Sequence, residues 1–334
     1  MKKHPVQSWS HFARLSRAGI LLATLALGVL SGQGAETDPF KAQEPPPLAG
    51  RWDLKVRDGA AEYPSWLEVR LSGYRTLVGS YVGQFGSARP IAEIKLDAAS
   101  GRFSFSVPPQ WEHRTDEITV SGRIENGRLS GETTNERGQT IHWEGHRAPA
   151  LERAQPPKWG KPFALFNGRD LTGFKPRYPN AKLGWRAQEG RLNNAFSGSD
   201  LMTEQRFTDF KLHAVFRYPK GSNSGLYLRG RYEVQIEDNF GMEPDSHRIG
   251  GVYGFLNPRV NSSKPAGEWQ TMDITLVGRV VSVSLNGEAL IERQVIPGIT
   301  GGALDSDEEL PGPLLIQGDH GPVEFKELTI TPAE

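Results

Sequence analysis

The chain has 334 residues, with 39 Lys and Arg against 39 Asp and Glu, and it contains no cysteine. This length is enough for two domains. The absence of cysteine excludes disulfides, thiol nucleophiles and cysteine-based zinc sites. The charge balance argues against a nucleic acid or an anionic membrane as partner.

The first 35 residues have the pattern of a secretory signal. Lys2, Lys3, Arg14 and Arg17 form a basic start, and an apolar run follows over residues 19–30. That run has the length of a signal core and is short for a membrane span. We therefore expect residues 1–35 to be removed on export to the periplasm or outside the cell, leaving no membrane span. Without them, 35 basic residues face 39 acidic ones, a net charge of about −4.

Two proline-rich segments divide the remaining chain. Residues 36–48 predict a linker after the signal, and residues 148–162 predict a second linker with four prolines. Between them, residues 49–147 show short runs of alternating apolar and polar residues, with an Asn-Gly turn at 126–127. No sustained helical period is present. We predict a small antiparallel β-barrel or sandwich of seven or eight strands, whose role the sequence leaves open.

Residues 163–332 are also rich in strand patterns. Asn286-Gly287 predicts a tight hairpin between two of them. The series of runs favours a two-sheet β-sandwich with one convex and one concave face, so the whole chain is predicted to be all-β.

Alternation places several polar side chains of this half on one strand face. Over residues 226–229, Tyr227 and Arg229 are predicted to point away from the leucines. Over residues 232–237, Glu233 and Gln235 share a face with Glu237. On pattern alone, this face is equally compatible with a binding site and with a solvated outer surface.

A second polar group follows an apolar strand near the C-terminus. Gln317, Asp319 and His320 stand among glycines directly after residues 314–316. Strand ends are common catalytic positions, and a histidine exchanges protons near neutral pH. A histidine that only holds a turn explains the motif as well. Upstream of the Arg229 strand, Asn223 lies either in a plain turn or in a loop that faces a ligand.

Residues 163–332 resemble the 3-keto-disaccharide hydrolase domain family. The resemblance covers about half of the chain, and ten blocks occur in the family's order. The blocks are LFNGRDLTGF (165–174), W with EGRL (185 and 189–192), LMT (201–203), FTDF (207–210), NSGLYLR (223–229), YEVQI (232–236), GVY (251–253), GEWQ (267–270), LNG (285–287) and QGDHG (317–321).

The resemblance implies a concanavalin-like jelly-roll sandwich that acts on a saccharide. It implies an enzyme of 3-keto-glycosides and 3-keto-disaccharides, in which the sugar C3 hydroxyl has already been oxidised. A base then removes the C2 proton and the C1 substituent leaves, with water added afterwards. Hydrolysis and 1,2-elimination remain open at this point.

The family pattern, together with the predicted strand faces, suggests a role for each site residue. Glu233 and His320 are the candidates for base or acid, and Arg229 is the candidate for stabilising the C3 oxyanion. The expected substrate-binding residues are Asn223, Tyr227, Gln235, Asp238, Gln317 and Asp319. The family often has Leu-Asp after its Gln-Ile, whereas this chain has Glu237-Asp238.

Several points stay open at the level of sequence. No cofactor is certain, and a divalent metal at Glu233, Asp238 or His320 is left undecided. The oligomeric state, the sugar and its linkage are also undetermined. The alternative to an enzyme is a non-catalytic, concanavalin-like carbohydrate-binding protein, and a third hypothesis is a scaffold of an exported assembly.

Overall fold

The structure is a computed structural model, and it describes residues 44–334. The predicted signal peptide, residues 1–35, and most of the first linker, residues 36–48, lie outside the described residues. Every regular element in the described part is a strand. Within these residues no helix has the length and apolar character needed to cross a membrane.

Eight antiparallel strands form a closed barrel in the first half. The strands are β1 (Gly50–Asp58), β2 (Ala61–Ser72), β3 (Thr76–Val82), β4 (Arg89–Asp97), β5 (Arg102–Val107), β6 (Ile118–Glu125), β7 (Arg128–Thr134) and β8 (Thr140–Arg147). They pair in chain order, and β8 closes the barrel against β1. The Asn126-Gly127 turn joins β6 to β7 with both residues at positive φ, as an Asn-Gly hairpin requires.

The barrel core follows from the period of two along each strand. On β1, the side chains of Trp52, Leu54 and Val56 are buried in a cluster with apolar residues from the other strands. Trp143 of β8 fills the space left by Gly122 and Gly131, where a Cβ would collide with its ring. The expected barrel or sandwich is therefore a barrel.

Thirteen strands form the second half. They are β9 (Phe163–Ala164), β10 (Phe174–Pro176), β11 (Trp185–Gln188), β12 (Arg191–Asn194), β13 (Leu201–Thr203), β14 (Phe210–Arg217), β15 (Asn223–Leu228), β16 (Tyr232–Glu237), β17 (Gln270–Val277), β18 (Val280–Leu285), β19 (Glu288–Val295), β20 (Leu315–Ile316) and β21 (Val323–Pro332).

These strands build two packed sheets. One has the order β10-β13-β20-β15-β16, and the other runs β11-β12-β21-β14-β17-β18-β19, with β9 also paired to β21. Apolar side chains of both sheets, such as Leu226 and Val234 of the first and Phe210 and Ile274 of the second, belong to one buried cluster. The prediction of an all-β chain with a small barrel followed by a β-sandwich is confirmed.

The barrel and the sandwich share a buried junction. Trp66 of β2 points out of the barrel into the sandwich cluster and meets the ring of Phe255 edge-on at 5.3 Å. Gly298 lies under the Trp66 indole, where a side chain would have no room. The Ser306 hydroxyl donates to the Leu54 carbonyl at 3.1 Å. Loops of the barrel are thereby held next to the five-stranded sheet.

Candidate active site

The candidate site lies on the face of the five-stranded sheet that points away from the sandwich core. Tyr227 of β15 and Glu233 of β16 are cross-strand partners. Their neighbours Leu226 and Val234 point to the opposite face and are buried in the core. Alternation along two adjacent strands thus brings Tyr227, Glu233 and Gln235 to one surface.

Glu233 is a buried acid, with a side chain only 3% exposed. Burial raises its pKa to about 8, while the Tyr227 hydrogen bond and the charge of His320 oppose the shift. Gly225 lies beside it on β15, and a Cβ at that position would be 3.0 Å from Glu233 Cδ and would collide with Oε1. The missing side chain at Gly225 is what makes room for the carboxyl group.

The Tyr227 hydroxyl connects Glu233 to a loop. It donates to Glu233 Oε2 at 2.9 Å and to the Gly301 carbonyl at 3.0 Å. A hydroxyl carries one proton, so it fully satisfies only one of these acceptors at a time. When Glu233 is protonated, its carboxyl group can donate to Tyr227, which leaves the tyrosine proton for Gly301. The geometry therefore accommodates both protonation states of Glu233.

His320 and Asp319 form an acid–base pair at the rim of the same cavity. His320 Nδ1 lies 2.5 Å from Asp319 Oδ1, and both side chains are exposed. The hydrogen bond that His320 donates to Asp319 raises the pKa of His320, and the charges of Asp319 and Glu233 add to the effect, against the opposing effect of desolvation. A raised pKa favours the imidazolium form, which can give up a proton.

Two amides line the cavity with unpaired oxygens. Gln235 donates from Nε2 to the His247 carbonyl at 3.2 Å, but its Oε1 has no partner among residues 44–334. Gln317 Oε1 is likewise buried without a partner in the described part of the chain. Asn223, at the start of β15, lies on the same wall. Buried polar atoms of this kind are normally hydrogen-bonded, and hydroxyl groups of a sugar would satisfy them.

The cavity has a volume of about 470 Å³, and seven of the nine site residues predicted from the sequence line it. Those seven are Asn223, Tyr227, Glu233, Gln235, Gln317, Asp319 and His320.

Arg229 is not one of them, and its expected place in the site needs correction. Strand β15 ends at Leu228, and Arg229 and Gly230 both adopt positive φ. The period of two therefore stops before Arg229. Its guanidinium, only 1% exposed, donates to the carbonyls of Glu308 and Gly278 and to the Tyr232 hydroxyl. Arg229 is a buried structural residue on the other side of the sheet.

Asp238 also lies outside the cavity. It follows the last residue of β16, and its Oδ2 accepts a hydrogen bond of 2.8 Å from the Gly221 amide. The carboxylate closes the turn that leads into β15. The expected contact between Asp238 and substrate is therefore not supported by its position.

Sequence reasoning missed two charged residues of the cavity, Arg177 and Asp200. Arg177 follows the short edge strand β10 and donates to Asp200 Oδ2 at 3.2 Å and to the Gly302 carbonyl at 2.8 Å. Asp200 also accepts from the Gly318 amide at 2.9 Å, and burial raises its pKa. Asp200 directly precedes the family block at 201–203, which was a usable signal. Arg177 had none.

The barrel contributes the remaining wall of the cavity. Phe85 and Gly86 from the β3–β4 loop and Trp111 from the β5–β6 loop line it. No pattern within residues 49–147 predicts that these loops line a cavity of the second half, because that placement depends on how the two halves pack. As for a metal, no group of three or more histidine or acidic side chains in residues 44–334 is arranged to hold one.

Comparison with known proteins identifies the second half. The family described as "3-keto-alpha-glucoside-1,2-lyase-like domain" matches residues 161–331. No curated protein matches the chain. A crystal structure of a candidate glycosyl hydrolase from Parabacteroides distasonis is 22% identical, with 52% of this chain and 94% of that chain covered and a TM-score of 0.45. Another from the same organism is 24% identical, with 51% and 98% covered and a TM-score of 0.41.

The family match, together with the sandwich and its acid–base cavity, defines a glycoside-acting β-sandwich enzyme. More specifically, the chain belongs to the 3-keto-alpha-glucoside-1,2-lyase-like family.

Proposed function

We propose that this enzyme cleaves 3-keto-glycosides by removing the proton at C2 and expelling the substituent at C1. One observation carries the proposal: a buried carboxyl group with a pKa of about 8, Glu233, shares a cavity with the His320–Asp319 pair. Family membership supports the same substrate class. An acid and a base that line one cavity are what an elimination requires.

The reaction follows from the acidity of a carbon next to a ketone. Glu233 takes the proton from C2, and the electron pair of the C–H bond moves to the C3 oxygen as an enolate. The enolate then re-forms the C3 ketone as the C1–O bond breaks, leaving a C1=C2 double bond. A proton from His320 neutralises the departing oxygen. Addition of water across the double bond gives the net product of hydrolysis.

The two pKa shifts favour this assignment of roles. The buried carboxyl group of Glu233 keeps its proton up to about pH 8, so the carboxylate that it forms is a stronger base than that of an ordinary glutamate. His320 at the rim keeps its proton to higher pH because of Asp319, which suits a general acid. We assign stabilisation of the enolate oxygen to Arg177, because it is the arginine of the cavity.

The test uses a 3-keto-glucoside with a chromogenic substituent at C1 and its unoxidised parent. Only the keto compound should release the chromophore, and deuterium at C2 should slow the release. Glu233→Gln should lose activity with little change in volume. Glu237→Gln, the same change on the same strand but outside the cavity, should keep it. Release from the parent at the same rate, or binding of the sugar without any release, would contradict the proposal.

We also propose that the enzyme acts outside the cytoplasm. The support is the basic start and apolar run of residues 1–35. Expression of the full chain should give a mature protein that begins after about residue 35, recovered in the periplasmic or external fraction. Recovery of the uncut chain in the cytoplasm would contradict this.

A further inference from the structure

An aromatic pair of the barrel separates the active-site cavity from a second cavity. Phe85 and Trp111 line both, and their rings meet edge-on with centroids 5.1 Å apart. The second cavity, of about 460 Å³, lies at the mouth of the barrel. A substrate bound over Glu233 would therefore have its neighbouring group beside these two rings.

The aromatic pair is fixed to the loop that supports the proposed base. The Gly302 amide donates to the Gln84 carbonyl at 2.8 Å, and Gly301 accepts the Tyr227 hydroxyl. Gln110 ties the two barrel loops together, because it accepts from the Ser87 amide and donates to the Ser87 hydroxyl, each at 3.0 Å. Barrel loops and active site thus share one hydrogen-bonded framework.

The second cavity contains polar groups suited to hydroxyls. Arg89 is 1% exposed, and its Nη1 donates to Glu112 Oε1 and Oε2 at 3.0 and 3.2 Å. Arg89 Nε and Trp111 Nε1 are buried without a hydrogen-bond partner among residues 44–334. Aromatic faces beside charged hydrogen-bonding groups fit a sugar ring, with its apolar C–H face and polar edge. A purely apolar group would leave these donors unpaired.

We propose that the barrel mouth is the subsite for the leaving group, and that it recognises a second sugar through Trp111, Phe85 and the Arg89–Glu112 pair. This inference rests on the proposed function, since it specifies what is attached to C1 of the keto sugar. The role of the barrel is then to select 3-keto-disaccharides over 3-keto-glycosides with small substituents.

The kinetic test compares a 3-keto-disaccharide with the 3-keto form of a methyl glucoside. Trp111→Ala should lower kcat/KM for the disaccharide by on the order of tenfold more than for the methyl compound. Trp269→Ala is the matched control, because Trp269 lines neither cavity. Equal losses on both substrates, or no loss on either, would overturn the proposal.

Phe85→Ala provides a second variant with little risk to folding, since Phe85 is 39% exposed. Without the edge of Phe85 against it, Trp111 loses its support, so the same selective loss is expected. Full retention of the disaccharide preference in both variants would place the second sugar elsewhere.

A binding measurement separates failure of the subsite from failure of the proposed function. The indole N–H signal of Trp111, one of eight tryptophans, can be assigned by its absence in Trp111→Phe and followed by NMR during titration with glucose or maltose. A selective shift that Phe85→Ala weakens supports the subsite even if no 3-keto compound is cleaved. If the chain cleaves both 3-keto compounds but the Trp111 signal does not shift, the proposed function stands and the proposed subsite is wrong.

Discussion

The Tyr227 hydroxyl lies 2.9 Å from Glu233 Oε2, and the two residues face each other across neighbouring strands of one sheet. The tyrosine is the hydrogen-bonding partner that favours the charged form of a carboxylate otherwise disfavoured by burial. The balance between these two effects decides the pH at which the proposed base becomes available.

The first prediction concerns the pH dependence of kcat/KM. Glu233 must be deprotonated to act as base, and its pKa is about 8. Below that pH the active fraction falls tenfold per unit, so kcat/KM should rise with pH up to about 8. Loss of the His320 proton should lower kcat/KM on the alkaline side, and the raised pKa of His320 delays that loss. A profile that is flat between pH 6 and 9 would exclude Glu233 as the base.

The second prediction concerns Tyr227→Phe. Removing the hydroxyl removes a hydrogen bond that lowers the pKa of Glu233, so that pKa should rise further. The ascending limb of kcat/KM should move to higher pH by on the order of one unit. Tyr253→Phe is the control, because Tyr253 lines the same cavity without a hydroxyl bond to Glu233. Equal profiles for Tyr227→Phe and wild type would refute the coupling.

The third prediction concerns the space beside the carboxyl group. Gly225→Ala places a Cβ against Glu233, and Gly225 does not have positive φ, so the backbone tolerates alanine. We expect kcat/KM to fall at least tenfold and stability to fall by about 1–3 kcal/mol from overpacking. Gly160→Ala, another glycine without positive φ and outside the cavity, should leave the rate unchanged. Unchanged activity in Gly225→Ala would mean that the position of the carboxyl group is not critical.

The sequence was sufficient where side-chain direction follows a simple period. Tyr227, Glu233 and Gln235 were predictable because alternation holds along the paired strands β15 and β16. It failed at Arg229, one residue past the end of β15, where a positive φ redirects the chain. Alternation says nothing about where a strand ends.

Contacts between distant segments were beyond the reach of local patterns. Arg177 reaches the cavity from the position directly after a three-residue edge strand. Trp111 reaches it from a barrel loop and only because the two halves pack together. The fold class was predictable from turn signals and strand periods, whereas the walls of the cavity depend on tertiary packing that no short window contains.

The fourth prediction separates the two arginines. Arg229→Met keeps an apolar stem but leaves the carbonyls of Glu308 and Gly278 without their donor. We expect urea unfolding to show a loss of about 2–4 kcal/mol, with kcat/KM retained in the folded protein. Arg177→Met should lower kcat/KM because it removes the guanidinium assigned to the enolate oxygen. If Arg229→Met remained stable and lost activity, the assignment of the two residues would be reversed.

The fifth prediction concerns a buried acid at the junction of the two halves. Asp53 of β1 is 0% exposed, and burial, followed by the charge of Glu308, raises its pKa to about 9. An unfolded aspartate has a pKa near 3.8. Between these two values the folded chain binds the extra proton, so this group's contribution to stability is lost as pH rises toward 9.

The side chain introduced by Asp53→Asn does not titrate, so this contribution to the stability of the variant should not fall as pH rises. The difference in unfolding free energy, variant minus wild type, should therefore grow in favour of the variant from pH 5 to pH 9. One proton limits the slope to about 1.4 kcal/mol per pH unit. Urea denaturation at several pH values measures it, and the subtraction cancels the parallel effect of Glu233. A difference that stays constant over this range would mean that Asp53 titrates with the pKa of an unfolded aspartate and that burial at the junction does not raise it.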